Sequence, residues 1–555
     1  MKKKLLPALI VTGLIILVVI IMGITALINK YTPTKKTEDL KEYFNISSDD
    51  EAALIVDNEL SDYKAKIIDK KIYVDYKFVH DSLNSRFYWD ANENVLLYTT
   101  ASDIISAAAD SNSYSVTKQT NDFGYPIVKA TSDSALIALD YVKQYSNITF
   151  KSYDDPARIV ITSKWDEIDS ATVSKSTQIR VKGGIKSPIL KEVKKDDKIT
   201  ILDSGDKWDK VATEDGVIGY IKRKALSESK KTKLTNPDYE EETFTHIKKD
   251  KDICLAWNQV TSQSANSKVP QVISSTKGIN VMSPTWFYLN DNNGNLADIA
   301  SKDYVSYCHS QGIEVWGLFS NFENTDVDAA YVLTHTSTRT TLINQIMSAA
   351  FNYELDGVNI DFENITEAAY GDSYIEFIRE LAIKCHNNGI SLSVDVTVPA
   401  SFNKFFNRSD MANFADYIVI MGYDEHYKGS DAGSVSSIPW VTEGVESTLK
   451  EVPADQIILG MPFYTRIWEL TPKEDDDAVT DTEDQSKYTV ASQVYSMDAA
   501  AAQLATNNAT AALDEESGQN YAEWSVSNKL YKVWLEDNTS LELSLIHISE
   551  PPRPY

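Results

Sequence analysis

The stretch that decides the fold is Asp356-Gly357-Val358-Asn359-Ile360-Asp361-Phe362-Glu363. Its apolar and polar residues alternate, and successive side chains of a β-strand point to opposite faces of the sheet. The apolar residues Val358, Ile360 and Phe362 are therefore predicted to share a face that packs under helices. The polar residues Asn359, Asp361 and Glu363 are predicted to share the opposite face, which points into the centre of the fold.

The two inward carboxylates of this strand, Asp361 and Glu363, indicate chemistry. Burying a carboxylate costs several kcal/mol unless it is compensated, and these two lie at the C-terminal end of the strand, where barrel enzymes have their active sites. At a separation of about 7 Å along a strand, their pKa values are expected to move apart. One carboxyl then stays protonated near neutral pH while the other ionises. Glycoside hydrolysis needs such a pair.

Seven apolar runs that alternate with helical segments predict the rest of the fold. Strands separated by helices form parallel sheets, so the fold class is α/β, a (β/α)₈ TIM barrel over 246–542 that lacks its last unit. A doubly wound open sheet is the alternative, but it would favour a glycine-rich first turn, and none follows Trp257. The runs are Ile253–Trp257, Gly278–Pro284, Val315–Phe319, Val358–Phe362, Leu392–Val398, Tyr417–Met421 and Ile457–Phe463.

Residues 543–555 show no barrel-strand pattern and are predicted to be a non-native tail. They stand where a helix and an eighth strand are expected. A barrel without its last unit would have an open edge with unpaired backbone groups. We therefore expect the chain as written to be poorly stable and weakly active.

The deciding strand resembles the signature of glycoside hydrolase family 18, Asp-x-x-Asp-x-Asp-x-Glu, and the resemblance covers roughly 250–540. Asp356, Asp361 and Glu363 match this signature, whereas Asn359 stands where chitinases usually carry Asp. That substitution resembles the spore-cortex and cell-wall branch of the family, whose members cut next to N-acetylglucosamine in peptidoglycan. The resemblance implies that Glu363 is the catalytic acid and that Asp361 stabilises the charged acetamido nitrogen of the substrate.

A second match to the family is Met421-Gly422-Tyr423-Asp424. The resemblance implies that Tyr423 is catalytic, through a hydrogen bond to the substrate acetamido oxygen, and that Met421 and Asp424 bind substrate. Other predicted substrate-binding residues are Asn359, Asn321 in a loosely matching third strand, and Trp468 and Trp257, because aromatic rings near strand ends stack on sugars. Neither a metal nor a cofactor is predicted.

The N-terminus predicts the compartment of the protein. Three lysines, residues 2–4, precede an uncharged run over Leu5–Ile28, which is long enough to span a bilayer as a helix. Residues 1–30 are therefore predicted to be an uncleaved transmembrane anchor, with a cleaved signal peptide and secretion as the alternative. The remainder of the chain is expected on the extracytoplasmic face of a cell membrane.

Three segments lie between the anchor and the predicted hydrolase. Residues 31–165 are predicted to be a stalk with two similar α+β units, which open at Lys71 and Tyr125 and resemble the N-terminal domain of copper amine oxidases. Residues 172–228, with a hairpin at Asp215-Gly216, resemble a bacterial Src-homology-3-like small all-β barrel, and this resemblance implies contact with the cell wall. Residues 229–245 are predicted to be a linker.

Composition limits the possible partners. The 555 residues carry 54 basic and 81 acidic side chains, a net charge of −27, which disfavours nucleic acid. The three cysteines exclude a disulfide framework and are expected to be buried thiols. The predicted partner is an N-acetylglucosamine-containing polysaccharide, either peptidoglycan or chitin oligomers. The predicted function is a glycosidase; the alternatives are a non-catalytic glycan-binding protein on the same scaffold and a structural envelope protein.

Overall fold

The computed structural model describes residues 5–363, 365, 368–473, 484–537 and 540–541, and the chain divides into two compact units. The first unit comprises Met1–Tyr98 and Ser106–Glu242, and the second comprises Thr99–Ile105 and Thr243–Tyr555. The predicted non-native tail, 543–555, lies outside the described residues.

Before residue 243 the chain forms three sheets. Their strand orders are β11-β12-β1-β2-β3-β10-β9, β4-β5-β6-β7-β8 and β15-β14-β18-β17-β16-β13-β19. The helices are α1 (Leu5–Tyr31), α2 (Leu40–Tyr43), α3 (Tyr76–Ser82) and α4 (Leu139–Gln144), with a 3₁₀ turn at Arg223–Ala225. The strands are β1 (Glu51–Val56), β2 (Glu59–Ile68), β3 (Lys71–Asp75), β4 (Phe87–Asp90), β5 (Val95–Thr99), β6 (Ile104–Ala108), β7 (Ser113–Val116), β8 (Gln119–Asp122), β9 (Val128–Ala130), β10 (Ala135–Ala138), β11 (Thr149–Tyr153), β12 (Arg158–Thr162), β13 (Glu167–Thr172), β14 (Thr177–Arg180), β15 (Ile189–Val193), β16 (Lys198–Asp203), β17 (Trp208–Thr213), β18 (Ile218–Lys222) and β19 (Lys230–Lys233).

From residue 243 onward the chain forms two sheets. The first has the order β20-β21-β23-β24-β25-β26-β27, with β22 beside β21, and the second has the order β29-β28-β32-β31-β30. The helices are α5 (Val269–Ser274), α6 (Lys302–Ser310), α7 (Ala329–Thr334), α8 (Thr336–Tyr353), α9 (Ala368–His386), α10 (Arg408–Phe414), α11 (Ile438–Thr448) and α12 (Met497–Thr506). The strands are β20 (Leu255–Asn258), β21 (Val281–Leu289), β22 (Leu296–Asp298), β23 (Glu314–Ser320), β24 (Gly357–Asp361), β25 (Ser391–Thr397), β26 (Tyr417–Met421), β27 (Ile457–Gly460), β28 (Tyr464–Pro472), β29 (Tyr488–Ser496), β30 (Ala512–Asp514), β31 (Gln519–Val526) and β32 (Lys529–Leu535).

The seven predicted strands of the hydrolase all exist and lie side by side in chain order, each parallel to the next. A doubly wound sheet reverses its strand order at a switch point, so the order observed here excludes that alternative. It is the order of strands in a (β/α) barrel. All seven strands therefore end at the same edge of the sheet, and the side chains at those ends come together.

The apolar face of β24 packs as predicted. Val358, Ile360 and Phe362 are buried in one hydrophobic cluster with residues of α8 and α9, such as Ile346 and Ile378. The backbone of Gly357 passes so close to Trp316 that an added Cβ would lie 2.5 Å from its ring. Helices therefore cover one face of the strand, and the polar residues turn to the other.

Within the predicted barrel domain, 246–542, the parallel sheet ends at Gly460. Residues Tyr464–Leu535 carry a separate antiparallel sheet, in which β28 pairs with β29 on one side and β32 on the other. The adjacent residues Ile467 and Trp468 of β28 are both buried, in two different hydrophobic clusters, so both faces of this strand are covered. The run predicted to end at Phe463 thus stops at Gly460, and the following residues leave the parallel sheet.

The first unit differs from its prediction in three places. Residues 31–60 are not a free stalk, because Leu40, Tyr43 and Phe44 pack with the core of the third sheet, β13–β19. The predicted linker 229–245 contains β19, which pairs with the open edge of β13. In the second repeat Ala135–Ala138 is strand β10 and helix α4 begins at Leu139, so the order strand–helix–hairpin occurs twice, as β3-α3-β4-β5 and β10-α4-β11-β12.

Two local predictions have different outcomes. Gly216, in the predicted hairpin between β17 and β18, has a φ of 82°, a conformation that glycine adopts readily. Cys308 and Cys385 are buried, but Cys254 is exposed because it precedes the first strand of the parallel sheet.

In α1, Leu9–Tyr31 is long and apolar enough to cross a membrane, with a mean hydropathy of 2.9.

Candidate active site

Asn359, in the middle of β24, is fully buried and uses its whole side-chain amide for hydrogen bonds to neighbouring strands. Its Oδ1 accepts from Trp257 Nε1 and from Ser283 Oγ, both at 3.0 Å. Its Nδ2 donates to Ser393 Oγ at 3.0 Å and to Asp395 Oδ1 at 2.7 Å. An amide has two donors and two acceptor lone pairs, so Asn359 has no capacity left for a sugar. The prediction that Asn359 binds substrate is therefore wrong.

Asp361 is the last residue of β24 and points to the same face as Asn359. Its Oδ1 is buried and, among the described residues, has no hydrogen-bond partner. Burial raises the pKa of Asp361 to about 7, and the negative charges of Glu363 and Glu323 add to the shift. A buried acceptor without a donor is costly, so this oxygen is suited to receive an N–H from a bound molecule.

Glu363 follows Asp361 on the same face, and its backbone is held firmly. Asn321, which follows β23, accepts from the Glu363 N–H and donates to the Glu363 carbonyl, both at 2.8 Å. The side chain of Glu363 is open to solvent, yet loss of part of its water shell raises its pKa, and Asp424 and Glu323 raise it further. Asn321 thus holds the backbone of Glu363, and its contact with a sugar stays a prediction.

Asp395, in β25, is a residue of the site that sequence reasoning missed. It is 2% exposed and accepts the 2.7 Å hydrogen bond from Asn359. Burial raises the pKa of Asp395 well above its ordinary value, and the charge of Asp361 adds to the effect. The available signal was a single carboxylate at an inward position of the apolar run Leu392–Val398. Asp361 and Asp395 therefore cannot easily ionise together.

Met421, Tyr423 and Asp424 lie at or just beyond the end of β26, as predicted. Burial raises the pKa of Tyr423, followed by the charges of Asp395 and Asp361, so its hydroxyl stays protonated. Asp424 adopts a left-handed backbone conformation with a φ of 62°. Its Oδ1 accepts from Tyr464 Oη at 2.7 Å and from Arg466 Nη2 at 3.3 Å. The antiparallel sheet therefore contributes side chains to this end of the parallel sheet.

The two tryptophans predicted to stack on sugars differ in burial and in the sheet that they belong to. Trp257, in β20, is partly buried, lies edge-to-face against Tyr423 at 6.3 Å between ring centroids, and donates to Asn359. Its ring passes over Gly460, where an added Cβ would lie 2.7 Å from the indole. Trp468 is 1% exposed in the core of the antiparallel sheet, and its indole N–H donates to the Gly433 carbonyl at 2.8 Å. The prediction that Trp468 contacts a sugar is wrong.

Asp356, the first residue of the matched signature, links β24 to the neighbouring strand β23 through its side chain. Its Oδ2 accepts from the Val315 N–H and contacts His309 Nε2, both at 2.8 Å. It lies at the opposite end of β24 from Glu363 and ties that strand to β23. Within the described part of the chain, no group of three or more His, Cys, Asp and Glu side chains is arranged to hold a metal ion.

The candidate site thus consists of carboxylates at the carboxyl edge of an ordered parallel sheet. Residues 309–548 match the sequence model described as "Glycosyl hydrolases family 18". It is 32% identical over 141 residues to the "Putative sporulation-specific glycosylase YdhD" of Bacillus subtilis (strain 168), covering 25% of this chain and 33% of that protein. It is 24% identical over 268 residues to the "Cortical fragment-lytic enzyme" of the same organism, covering 46% of this chain and 59% of that protein.

Among solved structures, the C-terminal domain of a putative chitinase from Desulfitobacterium hafniense DCB-2 is 20% identical, with a TM-score of 0.47 over 54% of this chain and 90% of that chain. The spore cortex-lytic enzyme SleL of Bacillus cereus is 19% identical, with a TM-score of 0.45 over 53% of this chain and 67% of that chain. The chain spans less than two thirds of the length of the two Bacillus subtilis relatives.

Proposed function

We propose that the chain is a membrane-anchored, extracytoplasmic glycosidase that cleaves β-1,4 bonds next to N-acetylglucosamine in peptidoglycan or chitin-like glycans. The observation that carries the proposal is the pair Asp361 and Glu363, which share one face at the end of β24 and both have raised pKa values. The names of the Bacillus subtilis relatives support a cell-wall glycan as substrate, and α1 supports the anchor.

In the proposed reaction, Glu363 protonates the glycosidic oxygen. The upward direction of its pKa shift supports this role, because a higher pKa leaves a larger fraction of the carboxyl protonated at a given pH. The acetamido oxygen of the substrate attacks the anomeric carbon, and the glycosidic bond breaks to release the leaving-group alcohol. This route is the substrate-assisted exception to the two-carboxylate mechanism.

Asp361 and Tyr423 support the acetamido group in this proposal. The unpaired Oδ1 of Asp361 accepts the acetamido N–H and stabilises the positive charge that develops there. The protonated hydroxyl of Tyr423 donates to the acetamido oxygen. Water then opens the oxazolinium ring with Glu363 as base, so the anomeric configuration is retained. Asp424 borders the sugar, and Asn321 holds the Glu363 backbone during both steps.

The decisive experiment replaces Glu363. In the purified chain, Glu363→Gln should abolish release of fragments from peptidoglycan and chitin oligomers, measured by mass spectrometry, while glycan binding persists. Glu354→Gln is the matched control, because Glu354 is an exposed residue just before the other end of β24. Substantial hydrolysis by Glu363→Gln would refute the assignment, and binding without hydrolysis by the unmodified chain would favour a glycan-binding protein.

A further inference from the structure

The residues that follow the apolar helix α1 are joined to the third sheet of the first unit. Thr34 N–H donates to the Ile185 carbonyl, and Glu38 N–H donates to the Ile189 carbonyl, both at 2.8 Å. The Ile189 N–H in turn donates to the Lys36 carbonyl at 2.8 Å. Residues 34–38 therefore extend the edge at β15, and the chain does not leave α1 as a free tether.

Two basic side chains, one in β14 and one in the loop before β15, bind carbonyls at the end of α1 and just beyond it. Lys186 Nζ contacts the Asn29 carbonyl and donates to the Thr32 carbonyl at 2.7 Å. Arg180 donates to the Thr34 carbonyl from both Nη atoms, at 3.3 and 3.2 Å. The last carbonyls of a helix lack partners inside the helix and carry partial negative charge. These bonds hold the sheet at the C-terminal end of the apolar helix.

Lysines collect at this junction. We call five of them the basic collar: Lys30, Lys35, Lys36, Lys182 and Lys186, all of which are exposed. Glu38, Asp39 and Glu42 lie nearby in sequence, so lysines outnumber carboxylates. The whole segment 167–233 has sixteen basic and eleven acidic residues, a net charge of +5, in a chain whose net charge is −27. The third sheet is thus positively charged in a chain that is negatively charged as a whole.

A cavity of about 560 Å³ opens beside the collar. Lys182 and Lys186 line it, together with Gly183, Gly184, Ser187 and Pro188, and Glu38, Glu42, Tyr43 and Val181 complete the wall. Ammonium and hydroxyl groups bind phosphate oxygens. The cavity therefore offers donors for a phosphate group at the level where a membrane surface would lie if α1 spans the bilayer.

We propose that the basic collar binds the phosphate groups of anionic phospholipids, so that the third sheet rests on the membrane surface. Lysines next to a membrane-spanning helix are attracted to anionic leaflets. The collar directly follows the apolar helix, and a membrane-spanning α1 would place the collar at the bilayer surface. We therefore take a bilayer lipid as the ligand of the collar. This inference rests on the proposed anchor, and it gives residues 172–228 a membrane partner in place of the predicted contact with the cell wall.

The test uses the full chain in a neutral detergent, titrated with phosphatidylglycerol or phosphatidylcholine, with bound lipid counted by native mass spectrometry. The unmodified chain should bind phosphatidylglycerol at least about tenfold more tightly. The triple variant Lys35→Gln/Lys36→Gln/Lys182→Gln should lose this preference, because each juxtamembrane lysine contributes about fivefold. Lys186 is left in place because it also binds the end of α1.

The matched control is Lys210→Gln/Lys230→Gln/Lys233→Gln, which removes the same charge from exposed positions on β17 and β19. This control should keep the preference. Absence of a preference in the unmodified chain, or equal losses in the two triple variants, would overturn the proposal. Competition by soluble polyglycerol phosphate as strong as that by phosphatidylglycerol would also overturn it, in favour of a wall polymer.

The anchor itself is tested separately by flotation of the full chain with pure phosphatidylcholine vesicles. Failure to float refutes the anchor whatever the lipid preference. Flotation without a preference for phosphatidylglycerol refutes the collar alone.

Discussion

Asn359→Asp restores the residue that the family signature has at this position, and we expect it to damage the protein. The amide of Asn359 donates to Ser393 and to Asp395. A carboxylate cannot donate, and it would stand at hydrogen-bond distance from the carboxyl of Asp395. A protonated carboxyl has one donor where the amide has two, so the substitution removes one of the two buried hydrogen bonds and places two carboxyl groups in contact.

The magnitude follows from these contacts. A buried partner left unsatisfied costs about 1–3 kcal/mol, and a protonated carboxyl replaces only one of the two amide donors, so we expect a loss of about 1–3 kcal/mol in the free energy of unfolding. The introduced carboxyl would keep its proton in the folded state, because burial and Asp395 both raise its pKa. The unfolded chain loses that proton near pH 4. The loss of stability should therefore grow as the pH rises from about 4 and level off above the folded-state pKa.

The assay is urea unfolding of the purified chain, followed by tryptophan fluorescence across this pH range. Asn403→Asp is the matched control. Asn403 is also buried and also donates twice, to Thr397 Oγ1 and to the Val398 carbonyl, but its Oδ1 accepts from Arg408. A guanidinium favours a carboxylate, so the loss in this control should not grow with pH in the same way.

A second substitution tests the contact itself. Asp395→Asn added to Asn359→Asp returns a donor to the pair, and we expect it to recover at least half of the lost free energy of unfolding. The reasoning is refuted if Asn359→Asp is as stable as the unmodified chain at every pH, or if the double variant recovers nothing.

Three further predictions concern the candidate active site. Asp361→Asn should raise the free energy of unfolding, because the Asp361 carboxyl has a pKa of about 7 in the folded state and near 4 in the unfolded chain. In urea titrations the gain in free energy should develop between pH 4 and pH 7, and a pH-independent difference would contradict this prediction. Gly460→Ala places a methyl group 2.7 Å from the Trp257 indole and 3.1 Å from the Ile420 carbonyl. We therefore expect a loss of about 1–3 kcal/mol in the free energy of unfolding, measured by thermal unfolding, and a lower kcat. Full activity would show that the position of the Trp257 ring is not needed for catalysis. Asn321→Ala removes both hydrogen bonds to the Glu363 backbone and should lower kcat about 10–100-fold with a smaller change in KM, whereas a change in KM alone would mean that Asn321 binds substrate.

Several features of the fold were predictable because they depend on local pattern. The alternation in Asp356–Glu363 separates the covered face from the polar face, and a strand imposes this alternation wherever it lies. The apolar run Tyr417–Met421 is a strand with the predicted bounds. The length and hydropathy of α1 follow from composition alone. The ends of the strands were less predictable. The strand β28 follows β27 directly, yet it pairs with the antiparallel strands β29 and β32 instead of the parallel sheet, and these partners lie far along the chain.

By itself, the sequence determined which residue types face inward on β24 and that Asp361 and Glu363 share that face. Only the tertiary structure decided their surroundings: Asp395 reaches Asn359 from the neighbouring strand, Asn321 holds the Glu363 backbone, and residues 34–38 join a sheet edge near residue 189. The physical reason is that alternation is a property of one strand, whereas these contacts depend on the register between segments 36 to about 150 residues apart, which no local pattern encodes.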